Sequence, residues 1–64
     1  MTEFDAQVAH LTALATTPGW WQYARMRAQE LDVDMPGVHE AVRKAVEATG
    51  YRPPKEERAE WWRA

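Results

Sequence analysis

The chain has 64 residues, no cysteine, and a net charge of −2 from eight basic and ten acidic side chains. A chain of that length makes one domain, and such a domain buries only about 60% of its unfolded surface, so its own stability is marginal. The composition rules out disulfides and thiolate metal sites, and it provides no overall attraction to nucleic acid or to an acidic membrane surface.

The first segment begins with Thr2 and Asp5 in a T-x-x-D arrangement, a helix-capping signature. Phe4, Val8, Leu11 and Ala15 then recur at helical spacing, which predicts a helix over 3–15. Thr16-Thr17-Pro18-Gly19 breaks that pattern. Thr17 followed by Pro18 reads as the N-cap and first position of a second helix over 18–31. Its inward stripe is predicted to be Trp20 or Trp21 with Ala24, Ala28 and Leu31, leaving Arg25, Arg27 and Gln29 to lean outward.

Asp32-Val33-Asp34-Met35-Pro36-Gly37 reads as a turn, with Asp34 placed to cap a third helix over 36–48. Val38, Val42 and Val46 repeat every four residues with Ala41 and Ala45 beside them, and Gly50 stands where a left-handed C-cap is expected. Tyr51 is placed to fold back on Val46. Arg52-Pro53-Pro54 is an extended connection, and Pro54 opens a short final helix through Glu56 and Glu57 to Trp61-Trp62. The expected architecture is therefore all-α: a compact three-helix bundle over 1–51 and a short C-terminal helical tail over 52–64.

Chemistry-bearing groups are sparse. His10 falls on the first helix and His39 on the third, with no H-E-x-x-H, no Gly-rich phosphate loop and too few ligands for zinc. The expectation is no catalytic site, no metal and no cofactor. The polar start with Glu3 and Asp5 lacks the pattern of a signal peptide, and no apolar run approaches the roughly 20 residues of a membrane span. A reducing cytoplasm fits this composition.

Two features point toward binding. Trp20-Trp21 and Trp61-Trp62 are adjacent pairs, and neighbours on a helix lie about 100° apart, so only one ring of each pair can turn fully inward. Trp, Tyr and Arg dominate interface hot spots. Trp21, Tyr51, Arg52, Arg58, Trp61 and Trp62 are accordingly the candidate partner-binding residues. The second feature resembles the bacterial helix-turn-helix over about 20 residues, with Ala28, Leu31, Val33, Val38, Ala41 and Val42 at the packing positions and the turn at Asp34-Met35-Pro36-Gly37. Under that reading His39, Arg43 and Lys44 contact DNA. Asp32 replaces the usual turn glycine, and Asp34 and Glu40 would face phosphates that repel them.

Pro18-Gly19-Trp20-Trp21-Gln22-Tyr23-Ala24-Arg25, followed by Arg27, Glu30-Leu31, Tyr51-Arg52-Pro53-Pro54 and Trp61-Trp62, resembles small proteins encoded by tailed phages and prophages of GC-rich bacteria. The resemblance implies origin and transfers no catalytic or binding residue. Short acidic phage proteins without enzymatic motifs commonly bind a larger protein stoichiometrically. The expected function is therefore a non-catalytic phage accessory protein in the bacterial host cytoplasm or the virion. It would act as a host-directed inhibitor such as an anti-CRISPR, or as a minor virion component, with a host or phage protein or a second copy of itself as partner. The alternative is a small helix-turn-helix DNA-binding regulator.

Overall fold

A computed structural model describes residues 2–51, which form three helices: α1 (Glu3–Ala15), α2 (Trp21–Asp34) and α3 (Val38–Thr49). Each helix packs on the other two, giving the predicted all-α three-helix bundle. The tail predicted over 52–64 lies outside the described residues.

α1 begins and ends where its sequence places it. The Thr2 hydroxyl accepts a hydrogen bond from the Asp5 backbone N–H at 3.1 Å, satisfying one of the orphan donors of the first turn. At the other end two threonine hydroxyls bond back to carbonyls of the last turn. Thr16 Oγ1 donates to the Thr12 carbonyl at 2.9 Å, and Thr17 Oγ1 donates to the Ala13 carbonyl at 2.7 Å.

That use of Thr17 displaces the predicted start of α2. With its hydroxyl bonded back to α1, Thr17 is not an N-cap. Gly19 follows in the left-handed region at φ 89°, a conformation incompatible with a continuing right-handed helix. The helix therefore starts three residues later than predicted, at Trp21, with Trp20 as an N-cap that makes no side-chain bond. It also runs three residues further, through Asp34, so Asp34 belongs to the last turn of α2 and does not cap α3.

The capping function falls to Asp32. Its Oδ1 accepts from the Gly37 backbone N–H at 3.0 Å and the His39 backbone N–H at 3.3 Å, holding the start of α3 from the preceding helix. Gly37 reverses the chain at φ 95°, so α3 begins at Val38 rather than at 36. Gly50 closes α3 at φ 78°, as its sequence position predicts.

Leu11, Ala15, Trp21, Ala24, Ala28, Val38, Val42 and Val46 form the buried core, and Phe4, Val8, Leu14, Leu31, Met35 and Tyr51 pack around it half-buried. Trp21 is by far the largest of the eight. Three of the others are alanines, whose small size lets the helix backbones close around the indole. Burying a tryptophan removes about 150–250 Å² from water, an upper estimate of roughly 4–6 kcal/mol at 25 cal/mol per Å². For a body this small, one ring supplies a large share of the apolar stabilisation.

Candidate functional site

The two members of the first tryptophan pair have separate fates. Trp21 is 2% exposed and stands with Ala24 and Ala28 on the inward side of α2. Trp20, one residue earlier and about 100° away, is 47% exposed. Trp21 therefore cannot be the surface contact that its place in the sequence suggests: its ring fills the core, and the accessible ring is Trp20.

Trp20 does not stand alone. Tyr23 is 43% exposed, Met26 53% and Val33 81%, and all three project from α2 away from the Trp21–Ala24–Ala28 stripe. The Trp20 and Tyr23 rings meet edge to face, with centroids 5.7 Å apart and planes at 88°, an arrangement aromatic quadrupoles favour. Arg27 and Glu30 form a 2.9 Å ion pair among these apolar side chains, both groups substantially exposed. The outer face of α2 thus interleaves exposed apolar side chains with the Arg27–Glu30 pair and, in its last turn, the exposed Asp34.

Tyr51 occupies the boundary between core and surface. It is half-buried, and its ring lies 6.4 Å from that of Trp21 at a tilt of 41°. It packs against the core rather than being offered freely to a partner. Arg52, Arg58, Trp61 and Trp62 lie outside the described residues.

The residues predicted for DNA contact are arranged differently. Arg43 on α3 is held by two acids: its Nε donates to Glu40 at 2.9 Å and 3.1 Å, a terminal nitrogen also bonds Glu40, and Nη1 bonds Glu47 at 2.6 Å. The hydrogen bond with Arg43 holds the Glu40 carboxyl below its ordinary value, and the same bond raises the Arg43 guanidinium. A phosphate would have to compete with two carboxylates for this arginine. Lys44 is exposed, and His39 is half-buried with its backbone N–H engaged by Asp32.

His10 is exposed on α1 and His39 sits on α3, so the histidines belong to different helices. Among the described residues no group of three or more His, Cys, Asp or Glu is placed to hold a metal ion. Among them, too, no helix is long and apolar enough to cross a membrane. Comparison of the chain with protein-family models, with curated proteins and with solved structures gives no match.

Sequence reasoning missed Trp20, Tyr23, Met26 and Val33 as a surface. The signal was present: once Trp21, Ala24 and Ala28 are assigned to one stripe, Tyr23, Met26 and Val33 fall on the other side of the same helix.

Proposed function

We propose that this protein is a non-catalytic binding module that engages another protein stoichiometrically through the outer face of α2. The observation that carries the reading is the exposure of Trp20, Tyr23 and Met26 side by side on a helix that already buries a full inward stripe. Apolar residues beyond what the core uses, gathered on one side of a helix, are the pattern of an interaction surface. Trp, Tyr and Met are enriched in the buried centres of such interfaces. A 14-residue helix presents about 21 Å of length, enough to lie in a groove on a partner.

The P-G-W-W-x-Y-A-R segment contributes Trp20, Tyr23 and the core ring Trp21, so the stretch that resembles small phage and prophage proteins is also the stretch that builds this face. A phage accessory protein acting in the host cytoplasm or in the virion fits both features. A host-directed inhibitor such as an anti-CRISPR and a minor virion component are the two concrete forms. The test is an affinity capture from nuclease-treated bacterial lysate, with mass spectrometry of what is retained. One host or phage protein held at equal stoichiometry by the parent, and absent with Trp20→Ala plus Tyr23→Ala, is the expected result. Undiminished capture by the double variant would overturn the assignment of the face.

The second reading is a helix-turn-helix DNA-binding regulator. It is favoured by the short Met35–Gly37 connection between α2 and α3, which includes a glycine at positive φ. Its expected signature is salt-sensitive duplex binding, with a log–log slope that falls by roughly one for each phosphate no longer neutralised in Arg43→Ala or Lys44→Ala. Absence of salt-sensitive DNA binding by the parent would end it.

A further inference from the structure

The outer face of α2 carries one charge that helix energetics would place elsewhere. Tyr23, Arg27, Glu30 and Asp34 follow one another at steps of four, three and four residues, a row about 16 Å long on the side away from Trp21, Ala24 and Ala28. Met26 and Val33 flank that row, and Trp20 stands at its N-terminal end. Arg27 and Glu30 neutralise each other. Asp34 is exposed and, among the described residues, its carboxylate has neither an ion pair nor a hydrogen bond.

Three things oppose an acid at this position. The last carbonyls of a helix form its negative end. Glu30, one turn earlier, is a like charge at the i,i+4 spacing. No basic residue stands in the last turn of α2 to offset either. Nor does Asp34 serve the neighbouring helix, because the carboxylate that reaches the Gly37 and His39 N–H groups is that of Asp32. Sequences that fold well break such local preferences chiefly where function requires it. Val33, 81% exposed, is its neighbour in sequence, so this end of the face sets an apolar contact beside an unneutralised carboxylate.

We infer that the protein engaged by this face presents a cationic side chain, arginine or lysine, over Asp34 and the C-terminal end of α2, with apolar side chains along Trp20, Tyr23, Met26 and Val33. The inference rests on the outer face of α2 being the partner surface, and it adds the chemistry of the partner and its direction along the helix. One cation complements the carboxylate and the helix end together. An ion pair at the edge of an apolar contact fixes register and orientation more than it adds affinity. A partner bound in the reverse direction would leave Asp34 covered by apolar surface, a desolvated charge without a counterion.

The test selects a random peptide display library on the immobilised full chain and on its variants. Peptides retained by the parent are expected to combine apolar residues with arginine or lysine. Glu3→Gln on α1 changes the net charge as much as Asp34→Asn does, and it should leave that enrichment in place. Asp34→Asn should remove the enrichment, and Asp34→Lys should replace it with aspartate or glutamate. A peptide selected on the parent should bind Asp34→Asn about fivefold more weakly. Asp34→Lys should also raise the thermal midpoint by about 2–4 °C, because it relieves Glu30 and suits the helix end. A fall in that midpoint would make Asp34 a structural residue and overturn the inference. So would retained peptides without basic enrichment, or an enrichment unchanged in Asp34→Lys; if Trp20→Ala with Tyr23→Ala still abolishes retention, the outer face of α2 nevertheless stands as the contact surface. Peptides held equally by that double variant, or none held by the parent, would overturn the surface itself and this inference with it.

Discussion

α2 and α3 are of similar length and pack on the same neighbours, yet they distribute their residues in opposite ways. α3 separates its two sides cleanly: Val38, Val42 and Val46 are buried, while Glu40, Arg43, Lys44 and Glu47 form a charged outer surface with its own ion pairs. α2 is apolar on both sides, with Trp21, Ala24 and Ala28 inward and Tyr23, Met26 and Val33 outward, continued by Trp20 at its N-terminal boundary. A helix built only to complete a core has no use for the second apolar side. Under the proposed function, the contrast puts the partner surface on α2 and leaves α3 a structural part, within one small bundle.

The contrast is broken most forcefully by swapping the two adjacent tryptophans for alanine one at a time. Trp21→Ala should cost about 3–5 kcal/mol, comparable to the whole stability expected of a domain this size, so the far-ultraviolet helical signal should collapse. Trp20→Ala should cost within about 1 kcal/mol and leave helicity intact, because its ring is half exposed and gives up mainly the edge-to-face pairing with Tyr23. Thermal unfolding followed by circular dichroism separates the two. Equal destabilisation would mean that both rings serve the core.

A smaller effect sharpens the account of how α2 and α3 are joined. Asp32→Ala removes the acceptor for two N–H groups at the start of α3 and should cost about 1 kcal/mol. Asp34→Ala, at an exposed position in the last turn of α2, should stay within about 0.5 kcal/mol. Midpoints in urea give both values.

The smallest effect concerns the charged surface of α3. The Glu40 carboxyl is held below its ordinary value of 4.5 by its hydrogen bond with Arg43. A carboxylate whose folded value is depressed contributes stability above its unfolded value and loses it as pH falls through the folded one. The thermal midpoint should therefore decline on acidification below about 4.5, and part of that decline should vanish in Glu40→Gln. The exposure of this pair keeps the difference slight, and added salt should diminish it further.

Much of the fold was legible because local chemistry decided it. The Thr2 cap and the Phe4, Val8, Leu11, Ala15 spacing define α1, and the valine repeat with Gly50 defines α3 and its end. The start of α2 was misplaced because Thr17-Pro18 carries a valid start signal, whereas Thr17 is bonded back to Ala13 and Gly19 interrupts the helix. Asp34 reads as the α3 cap because local capping rules look to the residues adjoining a helix. Asp32 acts across five and seven residues, a relation set by how two helices meet. The division between Trp20 and Trp21 was open for a similar reason: both fit the inward stripe by spacing, and the later start of α2 leaves Trp20 at its N-cap, outside the helix. Met26 alone gives no signal because a single exposed apolar residue is ordinary, and Val33, expected at a helix-turn-helix packing position, is instead 81% exposed. They become a surface only together with Trp20 and Tyr23.

The most direct measurement of the central claim is the affinity of the captured protein for the parent and for Trp20→Ala with Tyr23→Ala, by titration calorimetry, with circular dichroism on the same samples. The account predicts unchanged helicity with at least about 30-fold weaker binding, the reduction expected when hot-spot aromatics worth 2 kcal/mol or more are removed. Unchanged affinity in a fully helical double variant would contradict it, and would move the binding surface away from the outer face of α2.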